Sequence, residues 1–170
     1  MRDAMQTASE AGRSPEEVRE MIGAIYDRYD KDALSRWSLR PGAKEVLHML
    51  QLRGIKTALV SNVGEKALAL AFQKLALRSS FDLRVSRNDV QTPKPSGEGI
   101  QLALKRLHIR KGKTLFVGDS ADDIHAAREA GVKVIIIAGD KKPEGDPLST
   151  PPDDLIRNFD ELLAELLAKV

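Results

Sequence analysis

Three short stretches of the chain contain polar side chains whose types and spacing suit phosphate or metal chemistry. In the first, Gly118, Asp119 and Ser120 follow an apolar run and lead to Asp122 and Asp123. Carboxylates near a helix N-terminus are favoured by the helix dipole, yet they repel one another. A Lys or a hard divalent cation such as Mg2+, which takes oxygen ligands, would balance their charge. The alternative is that Asp119 and Ser120 simply cap the next helix.

The other two stretches could bind an anion. Ser61 and Asn62 follow the apolar run 55–60, where a hydroxyl, an amide and free backbone N–H groups can hold a phosphate. Ser61 could instead only cap the following helix. Lys94 stands between Pro93 and Pro95, which favour extended backbone on either side. Its ammonium could balance a phosphate and the carboxylates together, whereas a lone loop Lys would simply be exposed.

Alternating strand and helix patterns predict how these stretches are positioned. Strands are predicted at 55–60, 83–85, 114–117, 132–137 and 154–156, with helices at 65–75, 96–107 and 121–130 between them. Strands separated by helices of this length form right-handed crossovers, which predicts an α/β fold with a doubly wound, Rossmann-like parallel sheet. Such sheets bind ligands beyond the carboxyl ends of their strands, where all three stretches lie.

The segment before Leu39 shows only a helical pattern. Ser14 to Glu17 has the sequence of a capping box with Pro15 in the first turn, and the helix fades near Tyr29. Within this helix, apolar residues recur at helical spacing and form one stripe: Val18, Met21, Ile22 and Ile25. A second helix is predicted from Pro41-Gly42 to Gly54, and a loop over 138–152 separates the last predicted strands.

Composition narrows the class of protein. The 170 residues carry 27 Lys and Arg against 25 Asp and Glu, a net charge of +2, with no Cys and 4% aromatic residues. The absence of Cys excludes a disulfide scaffold and a thiolate metal site. Scarce aromatic residues argue against nucleic-acid binding, and no apolar run is long enough to span a membrane. With no signal-peptide pattern at the first residues, a cytoplasmic location is expected.

The order of the three motifs resembles the haloacid dehalogenase-like hydrolase superfamily, especially its phosphoglycolate-phosphatase-like members. The resemblance covers about Leu39 to Val170. It implies that Ser61, beside Asn62, hydrogen-bonds the transferred phosphoryl group of a small phosphorylated metabolite, and that Lys94 steadies the nucleophile and the intermediate. It further implies that Asp119 binds Mg2+, with Asp123 as a second ligand or as a support for the first.

The first motif of that superfamily is absent from the sequence. It is an apolar strand ending in Asp-x-Asp-Gly, which supplies the nucleophile and the general acid/base. The one Asp-x-Asp here, in Asp30-Lys31-Asp32, follows a helical run and precedes Ala33, so no catalytic role is expected for it. We therefore interpret 1–38 as a partial helical cap and 39–170 as the hydrolase core. The chain is expected to be an N-terminally incomplete copy.

That interpretation predicts a gap in the sheet. In the resembled fold the missing strand is central and lies between the strands at 55–60 and 114–117. Without it, two interior strands each keep an unpaired edge, which would encourage a homodimer or pairing with a complementing N-terminal segment. The isolated chain would then be an inactive part of an Mg2+-dependent phosphoric monoester hydrolase that acts through an aspartyl-phosphate.

Three alternatives remain open at this point. The chain could be a non-catalytic subunit of the same fold that binds phosphate or metal. It could be a dehalogenase, although the paired Asp119 and Asp123 favour phosphoryl transfer. A receiver domain is a third option, but its essential Lys would come after the phosphoacceptor, whereas Lys94 comes before Asp119.

Overall fold

The structure is a computed structural model that describes residues 14–139 and 151–168. Its helices are α1 (Pro15–Ala33), α2 (Ala43–Leu52), α3 (Glu65–Lys74), α4 (Glu98–Leu107), α5 (Ala121–Ala130) and α6 (Phe159–Ala168). Its strands are β1 (Ala58–Val60), β2 (Leu83–Val85), β3 (Leu115–Gly118), β4 (Lys133–Ile137) and β5 (Asp154–Ile156). Short 3-10 turns span Leu34–Arg36, Arg87–Asp89 and Lys111–Lys113.

All strand pairs are parallel, and they form two separate sheets. β1 pairs with β2, while β4 lies between β3 and β5. Within the described residues no strand lies between β1 and β3, so each of these strands is paired on one side only. The predicted α/β fold with parallel strands is therefore confirmed, and the two open strand edges are where the sequence predicts the gap.

Helices cover both faces of β4, which makes the fold doubly wound. Val134 and Ile136 face a cluster that includes Ile124 of α5, and the alternate residues Ile135 and Ile137 face the opposite side. Side chains in a strand point to opposite faces in turn, so this alternation follows from the apolar run itself. A third cluster packs α3 beside β1. Its buried residues are two from α3 and one that follows the helix: Leu68, Phe72 and Leu77.

The ends of two elements differ from the sequence-based prediction. The strand predicted at 55–60 begins only at Ala58, because the Asp82 carboxylate takes the Thr57 N–H at 2.9 Å and Ile55 is 43% exposed. Helix α1 continues beyond Tyr29 to Ala33 and runs on into the first 3-10 turn. Polar residues prolong it: Asp32 pairs with Arg36 at 3.2 Å, one helical turn later.

The N-terminal helix confirms its predicted start and only part of its predicted packing. Ser14 and Glu17 form the capping box, with the Glu17 N–H donating to Ser14 Oγ at 3.2 Å. Of the apolar stripe, Val18 is buried, whereas Met21 and Ile25 are 49% and 56% exposed. The division at residue 38 into cap and core stays an interpretation, and residues 1–13 and 140–150 lie outside the described part.

No helix among the described residues has the length and apolar character needed to cross a membrane.

Candidate functional site

The turn after β3 holds Asp123 rigidly. Ser120 is the N-cap of α5 and forms a capping box with Asp123, so of the two residues that the alternative interpretation took as caps only Ser120 has that role. Asp123 Oδ2 accepts hydrogen bonds from the Asp119 N–H at 3.0 Å, the Ser120 N–H at 3.2 Å and Ser120 Oγ at 2.7 Å. The residue is 3% exposed. One carboxylate thus closes the turn and begins the helix.

Close approach at this turn requires glycine. A Cβ built on Gly118 would lie 2.4 Å from the Asp123 Cβ and 2.6 Å from its Cγ. Real Cβ atoms do not come this close to other carbon atoms, so any larger residue would displace the carboxylate. Gly118 therefore lets the last residue of β3 lie directly against Asp123.

Lys94 completes the pairing of this carboxylate. Its Nζ lies 2.6 Å from Asp123 Oδ1, and the two side chains are 16% and 4% exposed. The ammonium also lies 5.8 Å from the centre of the Phe116 ring. Burial works to raise the pKa of Asp123, but the hydrogen bond and charge of Lys94, together with Ser120 and the Asp119 N–H, outweigh it and lower that pKa. The Asp123 carboxyl is therefore ionised at neutral pH.

Asn62 fastens the backbone of Lys94 to the loop after β1. Its Nδ2 donates to the Lys94 carbonyl at 2.8 Å, and its Oδ1 accepts from the Lys94 N–H at 2.9 Å. The two stretches that the sequence predicted to meet at the sheet edge are therefore in direct contact. The amide of Asn62, predicted to bind substrate, is engaged with the main chain of Lys94 at both of its ends.

The backbone around Ser61 is less open than predicted. The Val63 N–H donates to Ser61 Oγ at 3.2 Å, the Gly64 N–H to Asp30 Oδ2 at 2.9 Å, and the Glu65 N–H to a side chain at 2.9 Å. The expectation of free N–H groups along this turn is wrong for these three positions, because the protein satisfies the donors itself. The half-buried Ser61 hydroxyl remains beside them.

Asp119 faces outward from the same turn. Its side chain is 56% exposed, and its Oδ2 lies 2.9 Å from Arg40 Nη2. No motif had singled out Arg40, which stands just before α2 and reaches a carboxylate 79 positions away. Asp122 is also exposed.

Of the two carboxylates that the resemblance implies as metal ligands, only that of Asp119 is available to a hard cation. Both oxygens of Asp123 are already hydrogen-bonded, whereas Asp119 offers an exposed carboxylate held by one cation. Protein sites for Mg2+ often supply one or two carboxylates, the remaining ligands being water and substrate phosphate oxygens. Among residues 14–139 and 151–168, no group of three or more His, Asp or Glu side chains is close enough to hold a metal.

The comparisons with known proteins agree with this fold. A family model described as "Haloacid dehalogenase-like hydrolase" matches residues 2–137. A phosphoglycolate phosphatase of Shigella boydii is 31% identical over 153 residues, which are 89% of this chain and 60% of that enzyme. The pyrophosphatase PpaX of Halalkalibacterium halodurans is 28% identical over 151 residues, which are 88% of this chain and 69% of that protein.

A solved structure supports the same fold. The crystal structure of CbbY from Rhodobacter sphaeroides, in complex with phosphate, superposes with a TM-score of 0.71 at 22% identity and covers 88% of this chain and 67% of that one. The fold is thus an α/β core of parallel strands with a cluster of polar and charged side chains in the loops after β1, β2 and β3. The chain belongs to the haloacid dehalogenase-like hydrolase family. It spans 60% of the length of the phosphoglycolate phosphatase that it matches.

Proposed function

We propose that this chain supplies the supporting half of an Mg2+-dependent phosphoric monoester hydrolase that acts through an aspartyl-phosphate. The observation that carries the proposal is the convergence of three separated stretches at one edge of the sheet. Asn62 contacts Lys94, Lys94 contacts Asp123, and Asp123 closes the turn that presents Asp119. The stretches of Asn62 and Asp119 follow β1 and β3, the two strands that border the gap, and Lys94 lies in the loop between β2 and α4.

Each side chain has a distinct proposed task. Ser61 donates a hydrogen bond to a phosphoryl oxygen. The Lys94 ammonium, held by Asp123, lies where negative charge develops as phosphorus is attacked. Asp119 would hold the cation, which supplies charge neutralisation for the phosphate oxygens when bound. Positioning and electrostatic stabilisation account for most of the rate in phosphoryl transfer, so these groups matter although none of them attacks phosphorus.

The nucleophile is proposed to come from a strand in the gap between β1 and β3. An extended apolar segment there would pair with both open edges and end beside Lys94, where parallel strands place their ligand-binding residues. A carboxylate at the end of that segment would attack phosphorus as the bond to the alcohol oxygen of the substrate breaks, and the second Asp of the Asp-x-Asp would protonate that oxygen. Water would then hydrolyse the aspartyl-phosphate, which releases inorganic phosphate and restores the carboxylate. The segment can belong to the same polypeptide or to another one. The substrate class is a small phosphate monoester.

The test is complementation of the 170-residue chain with a synthetic apolar peptide that ends in Asp-x-Asp-Gly. Hydrolysis of p-nitrophenyl phosphate with Mg2+ is expected only when chain and peptide are mixed. A matched peptide whose first Asp is replaced by Asn should bind equally and give no turnover. The chain variant Lys94→Met should lower turnover by at least about 100-fold, since it removes a charge from the transition state.

Two outcomes would contradict the proposal. Turnover by the chain alone, at the rate of the mixture, would place a nucleophile within these residues. Binding of the peptide without any turnover would favour the non-catalytic alternative, in which the same groups bind phosphate or metal. A separate measurement of Mn2+ binding by electron paramagnetic resonance tests the cation site, because Asp119→Asn should weaken binding whereas the exposed Asp122→Asn should not.

A further inference from the structure

Arg87 is a nearly buried cation that lies between the N-terminal helix and the loop after β1. It begins the 3-10 turn that follows β2, and its side chain is 11% exposed. Its guanidinium lies 2.6 Å from Asp27 Oδ1 and 3.1 Å from Asp30 Oδ2, both on α1. It also lies 5.1 Å from the centre of the Tyr26 ring. Three residues of one helix therefore surround a single cation that comes from the sheet.

The same guanidinium also holds the loop that follows β1. Arg87 Nη1 donates to the Asn62 carbonyl at 2.7 Å, and the Asp30 carboxylate that it pairs with accepts the Gly64 N–H at 2.9 Å. The planar fork of an arginine can satisfy several acceptors at once, which an ammonium on a flexible stem does not do with the same geometry. Helix α1 is thus fastened to both ends of the segment 62–64.

From this loop the chain of contacts continues to the proposed phosphoryl site. Asn62 takes a hydrogen bond from Arg87 through its carbonyl and makes two further bonds to the Lys94 main chain through its side-chain amide. Lys94 in turn reaches Asp123. A displacement of Arg87 would therefore move Asn62, and a displacement of Asn62 would release the backbone of Lys94.

We propose that Arg87 is a positioning residue that couples helix α1 to the placement of Lys94 through Asn62. That the position of Lys94 matters for catalysis rests on the proposed function. The coupling of Arg87 to Lys94 through Asn62 rests only on the contacts described above. When α1 is docked, Asp30 and Arg87 hold the loop and Lys94 is clamped. When α1 moves away, the clamp loosens. The helical segment then controls the site without touching the phosphate.

The test is Arg87→Met in the 170-residue chain, with Arg106→Met as the matched control. Arg106 pairs with Asp89 of the same 3-10 turn at 3.2 Å, so its replacement removes an equivalent cation from that turn. Amide hydrogen exchange is followed by NMR. In Arg87→Met the Gly64 and Lys94 N–H groups should exchange about tenfold faster, the size expected for losing hydrogen bonds to a charged group. Arg106→Met should leave both rates unchanged.

A second measurement titrates inorganic phosphate and follows the Ser61 N–H signal. Arg87→Met should weaken the phosphate affinity about tenfold, and Arg87→Lys, which keeps one charge but not the fork, should fall between it and the unaltered chain. If the unaltered chain does not respond to phosphate, the proposed function is wrong, while the exchange rates still decide whether the coupling exists.

The coupling would be overturned if Gly64 exchanged faster and Lys94 did not, because a purely structural role of Arg87 predicts that local pattern. Should Arg87→Met fail to fold, Asp30→Asn replaces it in the same measurement. That variant removes the charge that Arg87 and the Gly64 N–H share, and it must accelerate exchange at Lys94 as well.

Discussion

Replacing Asp123 by Asn should destabilise the fold strongly, although the two side chains have the same shape. Asp123 is 3% exposed and accepts four hydrogen bonds, one of them from the Lys94 ammonium at 2.6 Å. Both carboxylate oxygens accept hydrogen bonds, so the NH2 group of an Asn would face another donor, either the Lys94 ammonium or the N–H and O–H groups of the Ser120 turn. It also leaves a largely buried ammonium without its counter-charge. Breaking a buried ion pair from one side costs roughly 3–5 kcal/mol.

The lower end of that range applies because Lys94 keeps 16% of its side chain exposed and can reach some water. A loss of about 3 kcal/mol corresponds to a fall in Tm of roughly 6–12 °C for a chain of this size. Urea unfolding followed by circular dichroism measures the free energy. The matched control is Asp119→Asn on the same turn, where a 56% exposed side chain with one ion pair should cost less than about 1 kcal/mol.

Equal losses in the two variants would refute the reasoning, since the argument depends on burial and not on the presence of a carboxylate. A loss below about 1 kcal/mol for Asp123→Asn would refute it as well, because the pair would then contribute no more than a surface ion pair.

Three further predictions concern the same turn. Because the folded state lowers the pKa of Asp123, the contribution of this carboxylate to stability is complete above its unfolded pKa of about 3.9 and is lost as pH falls through the folded pKa. The difference in unfolding free energy between the unaltered chain and Asp123→Asn, measured by urea titration, should therefore shrink below about pH 4. It should stay constant from pH 6 to 8. Gly118→Ala should lower the unfolding free energy by roughly 1–3 kcal/mol, because its Cβ clashes with Asp123. Gly112→Ala, whose Cβ meets nothing within 4 Å, should change it by less than about 1 kcal/mol. Equal losses in the two variants would contradict the clash argument. Arg40→Met should strengthen Mn2+ binding in paramagnetic resonance titrations because the cation of Arg40 occupies the same Asp119 oxygen; weaker binding would contradict competition between the two cations.

Sequence reasoning located elements best where local chemistry marks both ends. Helix α5 has the predicted limits because Ser120 and Asp123 form a capping box at its start and Gly131 adopts the left-handed conformation, φ 71°, at its end. The burial of β4 on both faces follows from the apolar run 134–137 after Lys133. Strand β1 was overestimated because an apolar run does not reveal that the Asp82 carboxylate takes the Thr57 N–H and ends the pairing there.

The site was predicted in the same uneven way. Ser61, Lys94 and Asp119 were recognisable because each follows a strand or a fixed turn, and the ends of parallel strands converge. Arg40 and Arg87 were not, since their partners lie 79 and 57 positions away along the chain and no local spacing records such a pair. Their charges resemble those of any exposed arginine until the fold brings the carboxylates to them.

Because of the capping box at Ser120, Asp123 has two structural roles. The carboxylate that steadies Lys94 is the same one that starts α5, so the site is set when the helix forms and before any ligand arrives. Evolution therefore acts on this residue through folding as well as through chemistry. Even a descendant with a different function would be under selection to keep the Lys94–Asp123 pair, because removing one partner destabilises the turn.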